Sequence, residues 1–160
     1  MHILLAPDSF KESLSAKQVA ESLKKGFQEA LPNATFDLLP IGDGGEGTMD
    51  TLAGVLDLTE YQTQVTGPFG LPVSVSYYQK DQMAFFEMAS LVGLGSIPAE
   101  KRNPLELETR GIGELILQLV GQGVKTLCVG IGGSATNDGG IGMAAGLGVA
   151  FYDEQGHLLR

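Results

Sequence analysis

The stretch GIGGSATNDGG, residues 130–140, follows the apolar run VKTLCVG at 124–130 and precedes the small-residue segment IGMAAGLG at 141–148. Glycine clusters cost backbone entropy, so they occur where the backbone takes positive φ or approaches another group closely. This order predicts a strand, a tight loop and a helix. The loop could wrap a phosphate with its backbone N–H groups. The alternative is a turn that only lets the helix pack closely on the sheet.

Two similar units precede this one. The runs HILLA at 2–6 and TFDLLP at 35–40 predict buried strands, and a short helix is expected at 47–56. Ser15 and Gln18 form a capping box at the start of a longer helix. Strands that alternate with helices predict a parallel sheet covered by helices. Apolar residues at intervals of four predict the core-facing stripe of the longer helix: Val19, Leu23, Phe27 and Leu31.

The middle of the chain has a different pattern. Residues 60–89 offer three strand-like stretches separated by the turn signals GPFG at 67–70 and KDQ at 80–82. This pattern predicts an antiparallel or mixed sheet inserted into the parallel one. We therefore expect an α/β fold, a Rossmann-like three-layer parallel sheet with a second, smaller mixed α/β lobe.

The same patterns suggest a division into domains. Residues 1–58 and 96–160 are predicted to form the parallel domain, and residues 59–95 to begin the inserted lobe. The closing segment VAFYDEQGHLL, 149–159, predicts a strand, a turn and the start of another strand. We expect that the chain is the N-terminal part of a longer protein whose C-terminal remainder is absent.

Composition limits the classes of partner. Nineteen acidic residues against ten Lys and Arg give a formal charge of −9 and an isoelectric point near 4.5. Nucleic acids and anionic membranes need a basic surface, so neither is expected as a partner.

The N-terminus lacks a signal-peptide pattern, and no apolar run approaches the length that spans a membrane. The cytoplasm is the expected location.

Three loops each follow a predicted strand and precede a predicted helix: 6–15, 40–48 and 130–140. Such loops gather at the carboxyl edge of a parallel sheet, where ligands bind. They bring hard oxygen ligands suited to Mg²⁺ or to a general base, and one lysine suited to phosphate: Asp8, Asp43, Glu46, Asp138 and Lys11. Taken singly, each also fits a plainer role, as a turn or helix cap for the acids and as a solvated surface residue for the lysine.

Together these stretches resemble the bacterial glycerate kinase family, whose enzymes serve glucarate, galactarate and glyoxylate breakdown. The resemblance runs along the whole chain in order. Its motifs are APDSFKESLSA at 6–16, GDGGEGT at 42–48, TGP at 66–68, FFEMA at 85–89, PAEKRNPLELETRGIGELI at 98–116, GIGGSATNDGG at 130–140 and GM at 142–143.

The resemblance implies a kinase that transfers the γ-phosphoryl group of ATP to a hydroxyl of D-glycerate, with Mg²⁺ and with 2-phosphoglycerate as the favoured product. It implies that the 160-residue chain alone is inactive, and it allows a homo-oligomer. The alternative is a nucleotide-binding or effector-binding module without catalysis. Three departures from the family pattern are Gly42, where Ala is expected, Ile112, where Thr is expected, and SLVGL at 90–94, where a small run around Ser and Gly is expected. Because Ile112 would replace a hydroxyl that could bond the substrate, the resemblance implies the reaction class more firmly than the substrate.

Site residues follow from the matched motifs. Asp43, Asp138 and Lys11 are the predicted catalytic residues, and the first two are also the predicted metal ligands. Arg110 is expected to pair with the glycerate carboxylate or with a phosphate. The remaining substrate-binding and phosphate-binding residues are Asp8, Ser9, Gly44, Gly45, Glu46, Gly132, Gly133, Ser134 and Asn137.

Overall fold

The structure is a computed structural model that describes residues 1–10 and 13–159. It confirms the predicted α/β class. In this part of the chain no helix is long and apolar enough to cross a membrane. The helices and strands, in chain order, are β1 (His2–Leu5), α1 (Ala16–Ala30), β2 (Thr35–Leu38), α2 (Thr48–Leu56), β3 (Thr59–Thr66), β4 (Pro72–Lys80), β5 (Met83–Glu87), α3 (Ala89–Val92), α4 (Arg110–Gly121), β6 (Thr126–Gly130) and α5 (Ile141–Gly146), with 3-10 turns at Leu94–Ser96 and Ala99–Lys101.

The strands form two sheets. β1 and β2 pair in parallel, and the second sheet has the order β3-β4-β5-β6. β3, β4 and β5 are antiparallel, as the turn signals predict, whereas β5 and β6 are parallel, with Phe85 opposite Cys128. The division into 1–58 with 96–160 and an inserted 59–95 stays a prediction, but β6 pairs across that boundary with β5 rather than with β1 or β2.

The main core lies between the four-stranded sheet and α4. Val65 and Phe86 from the sheet pack with Leu115 and Leu119 of the helix, and each is at most 4% exposed. Glu114 ties α4 to the end of β3, because its carboxylate accepts both the backbone N–H and the hydroxyl of Thr66, at 2.7 and 2.8 Å. Apolar burial therefore fixes α4 on the sheet, and a pair of polar contacts sets its position along β3.

Helix α1 begins as the capping box predicts. The Ser15 hydroxyl accepts the Gln18 N–H, and the Gln18 side chain accepts the Ser15 N–H. The predicted core stripe, however, is only partly correct. Val19 is buried, whereas Leu23 is 40% and Phe27 42% exposed. The buried residues of α1 all lie in its first two turns, so the two-stranded sheet covers only the start of the helix.

Helices α4 and α5 approach each other closely through glycine. A Cβ atom on Gly113 would lie 2.0 Å from the Met143 carbonyl oxygen, and one on Gly146 would lie 2.2 Å from the Arg110 carbonyl oxygen. These distances are far below van der Waals contact, so larger residues would force the helices apart. The short α5 helix is thereby held against the start of α4.

Candidate active site

One cavity of about 390 Å³ collects residues from loops that are distant in sequence. It lies beyond the carboxyl ends of β1, β5 and β6 and beside the N-terminus of α2. Six residues predicted for the site line it: Asp8, Ser9, Asp43, Gly45, Glu46 and Gly133. The three loops at 6–15, 40–48 and 130–140 thus each contribute to one cleft, as strand-loop-helix order predicts.

The loop that carries Asp43 has a defined internal geometry. Asp43 Oδ1 accepts the Gly45 N–H at 2.8 Å, and the Thr48 hydroxyl oxygen accepts the Gly44 N–H at 3.0 Å. Gly44 has φ +88°, a conformation that favours glycine. Asp43 itself is exposed. Its second carboxylate oxygen accepts no hydrogen bond from any described residue, so it is available to a ligand.

The loop at 130–140 makes a smaller anion cradle than the sequence suggests. The Gly132 N–H donates to the Gly44 carbonyl at 2.9 Å, and the Ala135 N–H donates to the Val92 carbonyl at 2.7 Å. Both donors are therefore already used. Within the described residues, the N–H groups of Gly133 and Ser134 have no internal acceptor. Gly133 lines the cavity, so its N–H is the better placed for an anion.

The cavity is strongly acidic. Asp8, Asp43, Glu46 and Asp50 line it, and no Lys or Arg among the described residues does. The predicted catalytic residue Lys11 lies outside the described residues. Within 1–10 and 13–159, no group of three or more His, Cys, Asp or Glu side chains is arranged to hold a metal ion by itself. The described lining residues therefore offer no positive charge that would neutralise an anionic ligand.

Asp138 has a different environment from Asp43. Its Oδ2 accepts the Thr109 N–H, the Thr109 hydroxyl and the Gly142 N–H at 2.7–3.1 Å, and its Oδ1 accepts the Gly140 N–H at 2.9 Å. Burial alone would raise the pKa of Asp138, but these hydrogen bonds outweigh burial and lower it. Its catalytic and metal-binding roles stay predictions, although a carboxylate with four internal donors and a lowered pKa is a weak base.

The other predicted residues that the structure describes lie outside the cavity lining: Gly44, Arg110, Gly132, Ser134, Asn137 and Asp138. Arg110 forms an ion pair with Glu108, with Nε and Oε2 3.5 Å apart, and Asn137 is exposed on the loop after Ser134. The family departure at Ile112 also lies away from the cavity. Ile112 is 1% exposed within the main core, so its side chain faces the sheet rather than a substrate.

The structure adds residues that sequence patterns do not single out. Asp50 lines the cavity from the first turn of α2, seven positions after Asp43, and Phe10 and Leu14 supply an apolar wall. Glu87 is buried at the end of β5, and its carboxylate accepts the Gly47 N–H of the loop that carries Asp43. A charged residue that ends an otherwise apolar strand is the sequence signal that could have drawn attention to Glu87.

Comparison with known proteins decides the family. A family model described as the glycerate kinase family matches residues 3–160. The chain belongs to the glycerate kinase family. This agrees with the resemblance of its motifs.

Individual relatives are longer than this chain. A glycerate kinase of Neisseria meningitidis serogroup B is 59% identical over 159 residues, which are 99% of this chain and 43% of the relative. A glycerate 2-kinase of Escherichia coli K12 is 47% identical over 98% of this chain and 42% of its own length. A crystal structure from Salmonella typhimurium LT2, provisionally assigned as a glycerate kinase 2, superimposes with a TM-score of 0.75 at 43% identity and covers 99% of this chain and 43% of that one. This chain thus spans less than half the length of these relatives.

Proposed function

We propose that the chain forms part of the substrate cleft of a kinase that transfers the ATP γ-phosphoryl group to a hydroxyl of D-glycerate. One observation carries the proposal. Acidic and glycine-rich loops from three strand-loop-helix units line a single cavity in a member of the glycerate kinase family. Phosphoryl transfer requires mainly positioning and charge neutralisation, and a cavity with free carboxylates and backbone N–H groups provides both.

The donor set of the cavity fits a magnesium ion brought by the nucleotide. Mg²⁺ prefers oxygen ligands and is commonly held by one or two carboxylates together with substrate phosphates, so a complete protein cage is not needed. Glu46 would hold it, because it lines the cavity beside Asp43. When bound, Mg²⁺ would neutralise charge on the β and γ phosphates.

Asp43 is also the best candidate for the general base. Its carboxylate faces the cavity, whereas the carboxylate of Asp138 is held by four internal donors. A free oxygen on Asp43 can accept the proton of the attacking glycerate hydroxyl. The Gly133 N–H, with Lys11 as predicted from the sequence, would stabilise charge on the transferred group.

The product is proposed to be 2-phosphoglycerate. Support comes from the family resemblance to sugar-acid pathway enzymes and from the Escherichia coli relative, whose name is glycerate 2-kinase. The 3-hydroxyl would give a different phosphomonoester, so the two products are distinguishable by their phosphorus spectra.

Phosphorus NMR of the intact gene product tests the proposal. The protein is incubated with ATP, Mg²⁺ and D-glycerate, and the loss of ATP and the growth of a phosphomonoester signal are followed. A 2-phosphoglycerate signal that requires D-glycerate supports the proposal, and a 3-phosphoglycerate signal would correct the position. Unchanged ATP with a protein shown to be folded would overturn the proposal and favour a binding module without catalysis.

A further inference from the structure

The two glycine-rich loops touch each other through their backbones. Besides the hydrogen bond from the Gly132 N–H to the Gly44 carbonyl, a Cβ atom on Gly130 would lie 2.5 Å from the Gly44 carbonyl oxygen. Gly130 and Gly132 therefore allow an approach that a larger residue would prevent. This contact holds the 42–47 loop against the end of β6.

Glu87 also contacts this loop and the helix that follows it. It is the last residue of β5, pairs in register with Gly130 of β6 and is 6% exposed. Its carboxylate accepts the Met49 N–H at 2.5 Å on one oxygen and the Gly47 N–H at 3.1 Å on the other. One buried side chain thus joins the ends of β5 and β6 to the loop that follows β2.

These contacts replace a local helix cap. The residue before α2 is Gly47, with φ +86°, and no side chain nearby in sequence caps the helix. The first N–H groups of a helix need acceptors, and a negative charge is favourable there. Glu87 supplies both from about 40 residues further along the chain. The start of α2 and the loop before it are therefore fixed by a residue of the central sheet.

We infer that Glu87 is a positioning residue that holds the 42–47 loop in the geometry that the active site needs. Glu46 and Gly47 line the active-site cavity, whereas Glu87 lines an adjoining cavity to which Glu46 and Gly47 also contribute. Both oxygens of the Glu87 carboxylate already accept N–H groups of the loop and the helix start, so Glu87 acts through the loop. Its effect on turnover rests on the proposed function, whereas its effect on the loop does not.

The experiment compares Glu87→Gln with Glu114→Gln in the intact gene product. Glu114 is a matched control, because its carboxylate also accepts two hydrogen bonds, from Thr66 at the end of β3, but Glu114 belongs to α4 and does not line the cavity. The glutamine at position 87 can still accept one N–H, but its amide would direct a donor at the other. The readouts are amide hydrogen exchange of residues 42–50, kcat and KM for both substrates, and the melting temperature.

We expect Glu87→Gln to speed exchange at residues 42–50 and to lower kcat on the order of tenfold to a hundredfold, because small displacements of reacting groups cost that much. Glu114→Gln should change neither. Unchanged exchange in Glu87→Gln, or loss of thermal stability alone as in the control, would overturn the inference. If the wild type does not phosphorylate glycerate, the proposed function fails, while the exchange data still support or overturn the positioning role.

Discussion

The Asp138 carboxylate and the Thr109 hydroxyl lie 2.7 Å apart although 29 residues separate them in sequence. The same hydroxyl accepts the Met143 N–H at 2.8 Å, and Thr109 is 2% exposed. This pair joins the residue before α4 to the first turn of α5. The end of the glycine-rich loop is therefore fixed to the start of α4, close to where Arg110 emerges.

Replacing Asp138 should mainly destabilise the fold. In Asp138→Asn, the amide nitrogen would oppose one of the N–H donors at Thr109, Gly140 or Gly142, and we expect a loss of about 2 kcal/mol in the free energy of unfolding. Urea unfolding of the intact gene product measures it. Asp153→Asn, which alters an exposed turn, serves as the control and should cost less. A fall in turnover at unchanged stability would instead support the predicted catalytic role of Asp138.

Replacing Asp43 should mainly reduce turnover. Asp43→Asn keeps the oxygen that accepts the Gly45 N–H but removes the charge that faces the cavity. We expect kcat to fall on the order of a hundredfold or more, since general-base contributions have that size. Binding of the nucleotide should weaken far less, as measured by calorimetry.

The control for this variant is Asp81→Asn. Asp81 occupies the turn between β4 and β5 with φ +53°, a conformation that asparagine tolerates well. Near-normal turnover is expected there. If Asp43→Asn also turned over normally, Asp43 would be neither the base nor an essential metal ligand.

Local sequence patterns identify most helices and strands, and they predict several of the residues that line the cavity. Capping and periodicity predict α1, and the turn signals GPFG and KDQ predict the β3-β4-β5 hairpins, because these signals lie within a few residues of each other. The partner of β6 is not local information. An apolar run such as TLCVG fits beside β1 as well as beside β5, and the observed pairing follows from packing of the whole sheet.

The same distinction separates the site residues. Asp8, Asp43 and Gly133 belong to recognisable loops, so the sequence predicts their meeting. Glu87 and Asp138 act through backbone N–H groups of distant segments, and such contacts leave no fixed spacing in the sequence. Sequence motifs therefore contain these acidic residues. They do not distinguish Asp43, which lines the cavity, from Glu87 and Asp138, which fix neighbouring backbone segments.

Nucleotide binding should depend on the divalent cation. Four carboxylates line the cavity without a Lys or Arg among the described residues, so free ATP would meet net repulsion. We expect ATP with Mg²⁺ to raise the melting temperature of the intact gene product, and ATP with a chelator to leave it unchanged. Equal stabilisation by both would show that protein cations alone neutralise the phosphates.

Glu87 should make stability depend on pH. Burial raises the pKa of Glu87 above its ordinary 4.5 despite the N–H groups of Met49 and Gly47, and the nearby Asp50 and Glu46 raise it further. The folded state then holds this proton more tightly than the unfolded state. The contribution of Glu87 is therefore fullest below 4.5 and declines as the pH rises through the folded-state pKa.

Urea unfolding between about pH 4 and pH 8 tests this dependence. Relative to Glu87→Gln, the wild type should lose stability as the pH rises, and the difference should become constant above the folded-state pKa. Glu114→Gln, which leaves Glu87 in place, should follow the wild type. If the wild type instead gained stability relative to Glu87→Gln as the pH rose, the assigned direction of the Glu87 pKa shift would be wrong.

The contact between α4 and α5 should tolerate no side chain at its glycines. Gly113→Ala would place a Cβ atom 2.0 Å from the Met143 carbonyl oxygen, a backbone atom that cannot move without its helix. We expect a loss of about 3 kcal/mol in the free energy of unfolding, as for severe overpacking. The matched control is Gly26→Ala within α1, where the added Cβ would meet no side chain and no other segment of the described chain within 4 Å. That variant should gain about 1 kcal/mol, because alanine favours helix over glycine. Denaturant unfolding of both variants measures the contrast, and equal stability would mean that the two helices are not packed as closely as the structure shows.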